Sequence, residues 1–412
     1  MSEKTNPIKL IGPFLLCALV AAPGVAEALG AWKPEPVIGA LAGGIAIVAA
    51  AFMLGWVGEA AELDLAGGLA VGLLAIVTIL PEYVVSVYFA YAAGTDPSMV
   101  EYASANVTGA NRLLLGFGWP VMALLGYLAL RKKAKAKGEA KPKHFGIVLE
   151  DEARTDLGFL VIASAIALVI PFSGSLHILL GIALVIIFVA YLWRQSHAER
   201  EEPELEGTAA VIGSLSKWNR RAFILVIFLI AAAIILACAE PFANNLVAAG
   251  EVLHVDKYLL VQWLAPLASE APEFALAIIF AAKGKPNMGL AVLLSSKVNQ
   301  WTALAGSLPI AFVVGGGAAA IPMDARQSEE FLLTAAQTIM GVALLLGLRL
   351  GARASITLFV LFAAAFFIPD PAIRTIFAIV YFIVGAVMLV INRKYLRETL
   401  AAPFKLPKRL SL

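Results

Sequence analysis

Charge is scarce in this 412-residue chain: Asp, Glu, Lys and Arg make up 15% of it, and 61% is hydrophobic. Soluble domains carry about a quarter charged residues. A soluble globular enzyme is excluded, and the chain reads as an all-α polytopic membrane protein. Cysteine is nearly absent. Cys17 and Cys238 both lie in apolar runs, which leaves neither a disulfide framework nor a thiolate metal site. The four histidines, His144, His177, His197 and His254, are scattered near loops or span ends. There is no His-Glu-x-x-His, no cysteine pair and no glycine-rich phosphate loop, so metalloprotease and nucleotide-driven chemistry lack their usual anchors. No nucleophile and base pair stands out, so neither an enzyme nor a cofactor is expected. The net charge of +2 makes no case for a nucleic-acid partner.

What is present is a succession of long apolar runs. With about 20 apolar residues needed for one crossing, twelve spans are predicted, near 10–30, 38–58, 67–93, 98–130, 157–172, 175–193, 221–249, 258–282, 287–317, 329–348, 354–369 and 371–391. The runs 98–130 and 287–317 exceed one straight crossing and contain glycine and a proline, Pro120 or Pro309, so each is expected to be a broken or kinked helix. Of 31 Lys and Arg residues, 25 fall in the termini and alternate loops and only Lys33, Lys257, Arg326 and Arg374 on the other side. Positive charge stays inside, so both termini are expected in the cytoplasm. Few long loops and no large regulatory domain suit a prokaryotic inner membrane. The first run, "KLIGPFLLCALVAAPGVAEA", also resembles a signal peptide.

Two cations are left inside spans, Arg112 and Lys297. Proline and glutamate also stand there: "ILPEYVVSVYFAYAAG" in the third span and "EAPEFALAIIFAAKG" in the eighth. A carboxylate at bilayer depth costs about 2.5–3.5 kcal/mol on insertion scales. Glu82 and Glu273 are 191 residues apart, and the match extends both ways, so the chain contains two half-length copies. The charge count runs the first Pro-Glu helix outward and the second inward. Inverted copies whose broken helices meet at the midplane mark secondary transporters.

Thr78, Glu82 and Ser86 recur every four residues and share one helix face, and Ser269, Glu270 and Glu273 fall close together. Three carboxylates around a midplane pocket would suit a hard cation such as Ca²⁺ or Na⁺. Pro81 and Pro272 would free backbone carbonyls for the same shell.

These motifs, with "ANVTGANRLLLG" after the first Pro-Glu helix and "AVLLSSKVNQW" after the second, resemble the alpha repeats of the sodium/calcium exchanger family, part of the wider cation/calcium exchanger superfamily. The resemblance is close over about 59–120 and 250–310. It implies an inverted-repeat fold of ten core spans plus one at each end. The expected layout is an extra N-terminal span (1–36), a first repeat (37–195, alpha motif about 67–120), a cytoplasmic linker (196–220), a second repeat (221–369, alpha motif about 258–310), and an extra span with a basic tail (370–412). The resemblance further implies Glu82 and Glu273 as central ion-binding carboxylates, Asn106, Thr78 and Ser269 as further ligands, and exchange of Ca²⁺ for Na⁺ or H⁺ by alternating access.

The departures from the family pattern are specific. Glu270 replaces a hydroxyl residue, Val292 stands opposite Asn106, Lys297 opposite Asn111, and Arg112 replaces an apolar residue. With Glu82, Glu270 and Glu273 ionised, Arg112 and Lys297 would leave a net charge of −1. A tethered ammonium can take one cation's place, so fewer cations per cycle and a proton among them are expected. Arg112 has a second reading, as the partner of Glu101 on its own helix. A monovalent Na⁺/H⁺ antiporter on the same scaffold is the alternative function, and a channel is disfavoured because the carboxylates form no ring.

Overall fold

The computed structural model describes residues 7–64, 67–136, 145–197, 205, 207–368 and 370–405, except for the side chains of 7, 67–79 and 371. In chain order the elements are α1 (Pro7–Ala28), α2 (Pro36–Ala61), α3 (Gly67–Ala93), α4 (Val100–Leu113), α5 (Trp119–Ala136), β1 (Gly146–Val148), α6 (Ala153–Ala167), α7 (Val169–Ser173), β2 (Ser175–His177), α8 (Ile178–Gln195) and α9 (Gly207–Gly213). There follow α10 (Lys217–Leu253), α11 (Lys257–Ser269), α12 (Ala271–Ala282), α13 (Pro286–Asn299), α14 (Ala305–Val314), β3 (Ala320–Pro322), α15 (Ala325–Leu345), β4 (Arg349–Gly351), α16 (Ala352–Phe367), α17 (Pro371–Ile391) and α18 (Arg393–Ala401).

All twelve expected spans fall on helix. Among the described residues, seven helical stretches are long and apolar enough to cross a bilayer, and α11 with α12 forms an eighth as a bent pair. The other four depart for identifiable reasons. The side chains of 67–79, nearly half of α3, are outside the description. The α13–α14 run carries Lys297, α15 carries Glu329 and Glu330, and α16 has only 16 residues.

The long fourth and ninth segments are not broken at their prolines. Each instead contains a π-helical turn, Leu114–Gly118 and Gln300–Leu304, before the helix resumes. Such turns widen the hydrogen-bond ladder by one residue and are frequent at functional sites. The two Pro-Glu helices differ as well: α3 continues through Pro81, whereas the second copy breaks at Glu270, which caps α11 and donates its N–H to the Pro266 carbonyl (2.8 Å).

The chain divides into two compact units. The first holds residues 1–89, 192–272 and 409–412. Its axis is the α2–α10 pair. Gly43 comes so close to α10 that an added Cβ would lie 3.0 Å from Phe242 Cβ, Gly39 lies against Asn245, and Asp64 reaches Arg220. Positions rise along one helix as they fall along the other, so the two are antiparallel. Small residues allow that approach where no hydrophobic force draws helices together in lipid.

The second unit holds residues 90–191 and 273–408. Two short antiparallel sheets tie its loops together, β1 with β4 and β2 with β3. β3 begins 174 residues after β1, and β4 174 residues after β2, so the two sheets exchange under the repeat. Each sheet also joins segments that the charge count assigns to one membrane face. α15 and α17 run parallel, as Arg374 meets Glu330, Gly385 meets Met340, and Asn392 bonds the Ala343 carbonyl. Two parallel neighbours require α16 to carry the chain back between them, short as it is.

In the first unit Arg220 grips both carboxylate oxygens of Asp64 (2.6 and 2.9 Å), and Arg221 lies 3.3 Å away. The Arg220 hydrogen bond, aided by both arginine charges against a smaller effect of burial, holds the Asp64 carboxyl below the usual carboxylate range. A lowered value means stability that is present above the unfolded pKa of about 3.9 and lost as pH falls through the native one. Asp64→Asn is expected to lower the Tm by about 2–4 °C at neutral pH. The gap from the wild type should close in strongly acidic melts.

Candidate cation site

In the first unit, Glu82 and Ser86 stand four residues apart on α3, 3% and 0% exposed. The Thr78 side chain, one turn before, lies outside the described residues. At the end of α11, Ser269 and Glu270 are both 2% exposed, and the Ser269 hydroxyl bonds back to the Ala265 carbonyl (3.1 Å). Glu273, on α12, belongs to the second unit, so the three glutamates are divided. Among the described residues no three His, Cys, Asp or Glu side chains gather around one point. Cys17 and Cys238 are buried free thiols.

The second unit contributes α4 and α13. Every residue of α4 except Glu101 is buried, although "VEYASANVTGANRL" is half polar. A polar helix that sequesters itself this fully belongs to an interior, not to a lipid-facing wall. Asn106, Asn111 and Arg112 are all 0% exposed, as is Lys297 on α13.

Lys297 donates from Nζ to the Asn111 backbone oxygen (2.8 Å) and to Asn111 Oδ1 (3.2 Å). The Asn111 amide nitrogen in turn donates to the Val107 carbonyl (3.0 Å). Both residues stand three positions before a π turn, and they occupy equivalent places in the two copies. Equivalent residues of an inverted repeat can touch only beside the pseudo-two-fold axis, so this contact marks the axis within the second unit.

Arg112 is not the partner of Glu101, from which eleven residues of helix, roughly 16 Å, separate it. Its Nη1 donates to Glu330 Oε2 on α15 at 2.7 Å, with both side chains fully buried. The other Glu330 oxygen accepts from Arg374 of α17, and Arg374 Nε is 3.5 Å from Glu329 Oε1. Arg374, assigned by the charge count to an outer loop, is 3% exposed inside this unit. Sequence reasoning missed Glu329, Glu330 and Arg374. The available signal was the acidic pair Glu329 and Glu330 inside a span, beside a buried arginine assigned only to Glu101.

The first unit holds a second overlooked group, in "CAEPFANN" of α10. Asn245 donates to Glu27 of α1, and Tyr88 donates to Asn244 Oδ1 (3.0 Å).

The family model of the sodium/calcium exchanger protein matches residues 36–196 and 223–393. Among solved structures, an H⁺/Ca²⁺ exchanger described as CAX is 34% identical, covers 95% of this chain and 97% of its own, and superposes with a TM-score of 0.88. The Ca²⁺/H⁺ antiporter protein YfkE shares the fold at 17% identity, over 88% of this chain and 99% of its own, with a TM-score of 0.59. No curated protein matches the chain.

Glu330 compensates two guanidiniums at once. Its replacement by Gln takes that charge from both, leaving Arg374 with Glu329, and removal of one partner from a buried pair costs about 3–5 kcal/mol. Glu330→Gln is expected to lower the Tm far more than Glu101→Gln, whose carboxylate lies outside the network. Thermal melts in one detergent check the contrast.

Proposed function

Because the chain belongs to the sodium/calcium exchanger family, we propose that it is a secondary-active cation antiporter, moving Ca²⁺ by alternating access in exchange for H⁺, with both termini in the cytoplasm. The observation that carries this reading is the pair of prolyl-glutamates at equivalent positions of two inverted copies. Glu82 and Glu273 are the central ligands. Glu270, Asn106, Thr78 and Ser269 supply further oxygens, and Lys297, Asn111 and Ser86 tune the site from its edge.

The charge balance suits one divalent cation exchanging for two monovalent ones. Arg112 is committed to Glu330, which also holds Arg374, while Glu329 adds a second acid to that group. This removes Arg112 from the balance drawn at the sequence level. Glu82, Glu270 and Glu273 against Lys297 then leave −2, the charge that one Ca²⁺, two protons or two Na⁺ would neutralise. The 34% identical relative is itself described as an H⁺/Ca²⁺ exchanger, which supports H⁺ as the monovalent ion.

The second reading, monovalent Na⁺/H⁺ exchange, draws on Lys297 alone. A tethered ammonium between the copies lowers the demand for a divalent charge. It loses much of its force once Arg112 is neutralised.

Proteoliposomes separate the readings. A pH gradient is expected to drive ⁴⁵Ca²⁺ uptake, with Glu82→Gln and Glu273→Gln at background and an imposed Na⁺ gradient giving little. No calcium flux together with Na⁺-dependent proton movement would establish monovalent exchange instead. Lys297→Gln is expected to fold and to alter the number of protons moved per Ca²⁺; an unchanged ratio would remove Lys297 from the mechanism.

A further inference from the structure

The parallel pairing of α15 with α17 has a register that can be followed inward. Glu330 and Arg374 face one another across the seam. Residues one heptad further along two parallel helices return to the same seam. Seven residues past Glu330 is Gln337, and seven past Arg374 is Tyr381. The register persists below them, where Gly385 lies against Met340.

Gln337 and Tyr381 are 1% and 0% exposed. Neither amide atom of Gln337 nor the Tyr381 hydroxyl has a hydrogen-bond partner in the protein. The nearby hydroxyls spend their protons elsewhere, Thr334 donating to the Glu330 carbonyl (2.6 Å) and Thr338 to the Thr334 carbonyl (2.8 Å). Thr338 also accepts from Trp301 Nε1 (2.9 Å).

Buried side-chain polar atoms are hydrogen-bonded to protein or to ordered water in the large majority of cases. A buried water needs two to four polar partners, and this seam offers an amide donor, an amide acceptor and a hydroxyl that can be either. We propose that the α15–α17 seam holds a buried water site, walled by Gln337 and Tyr381, one heptad along from the Glu330–Arg374 pair. The ligand is water, and its work is to satisfy the Gln337 amide and the Tyr381 hydroxyl, tying the two helices together where no direct hydrogen bond does.

The test is X-ray radiolytic hydroxyl labelling of the full-length protein, in which water bound at a site generates the radical in place. Tyr381 is expected to label several-fold faster than Phe331, which is equally buried on α15. Tyr381 at the Phe331 rate would overturn the proposal. A Gln337→Leu variant gives an independent sign. A hydrated seam loses a wall of its site, so the Tm falls by about 2–4 °C and Tyr381 labelling drops. A dry seam is relieved of an unsatisfied amide, so the Tm rises. That rise would overturn the proposal as well.

Discussion

An ionised group inside a bilayer-length helix must meet its compensation locally, because neither water nor screening salt is at hand. The second unit is organised by that constraint, and the first closes a partly solvated helix end with charges of the same kinds. In the second, two arginines from α4 and α17 converge on one glutamate of α15, fastening a helix of the first copy to two of the second. In the first, Asp64 and two arginines close one end of the α2–α10 pair, and Asn245 with Glu27 holds α10 to α1. The helices themselves need little from these contacts, since their backbone bonds are internal. What the charged groups determine is which helix lies against which.

The same constraint separates the two intramembrane cations. Arg112 is answered by a carboxylate and becomes a structural member. Lys297 donates to the backbone and side-chain oxygens of Asn111, its counterpart in the other copy. A point ammonium with rotatable donors suits the second role, and a rigid fork suits the first.

Much of this was legible in the sequence. The apolar runs located the helices, because in lipid the backbone must bond within its own segment. The doubled Pro-Glu motif and the Lys and Arg asymmetry gave an inverted repeat, and the exchange of the two small sheets agrees with it. The partner of Arg112 was not legible. Glu330 is 218 residues distant, and helix periodicity speaks only of neighbours on one helix. The π turns were also invisible, since Pro120 and Pro309 drew attention to themselves while the irregularity lies a few residues earlier in each copy. Thr78, Glu82 and Ser86 show the limit from the other side: spacing gave them a common face, but spacing does not say what stands opposite.

A residue beside a two-fold axis faces its own image. If the two copies were once separate, identical chains paired head to tail in the membrane, a lysine at this position would have confronted a second lysine, and an asparagine a second asparagine. The Lys297–Asn111 contact is one that two copies of a single gene product cannot make. Joining the halves in one polypeptide let the two positions mutate separately, so a single positive charge could be set where symmetry permits only none or two.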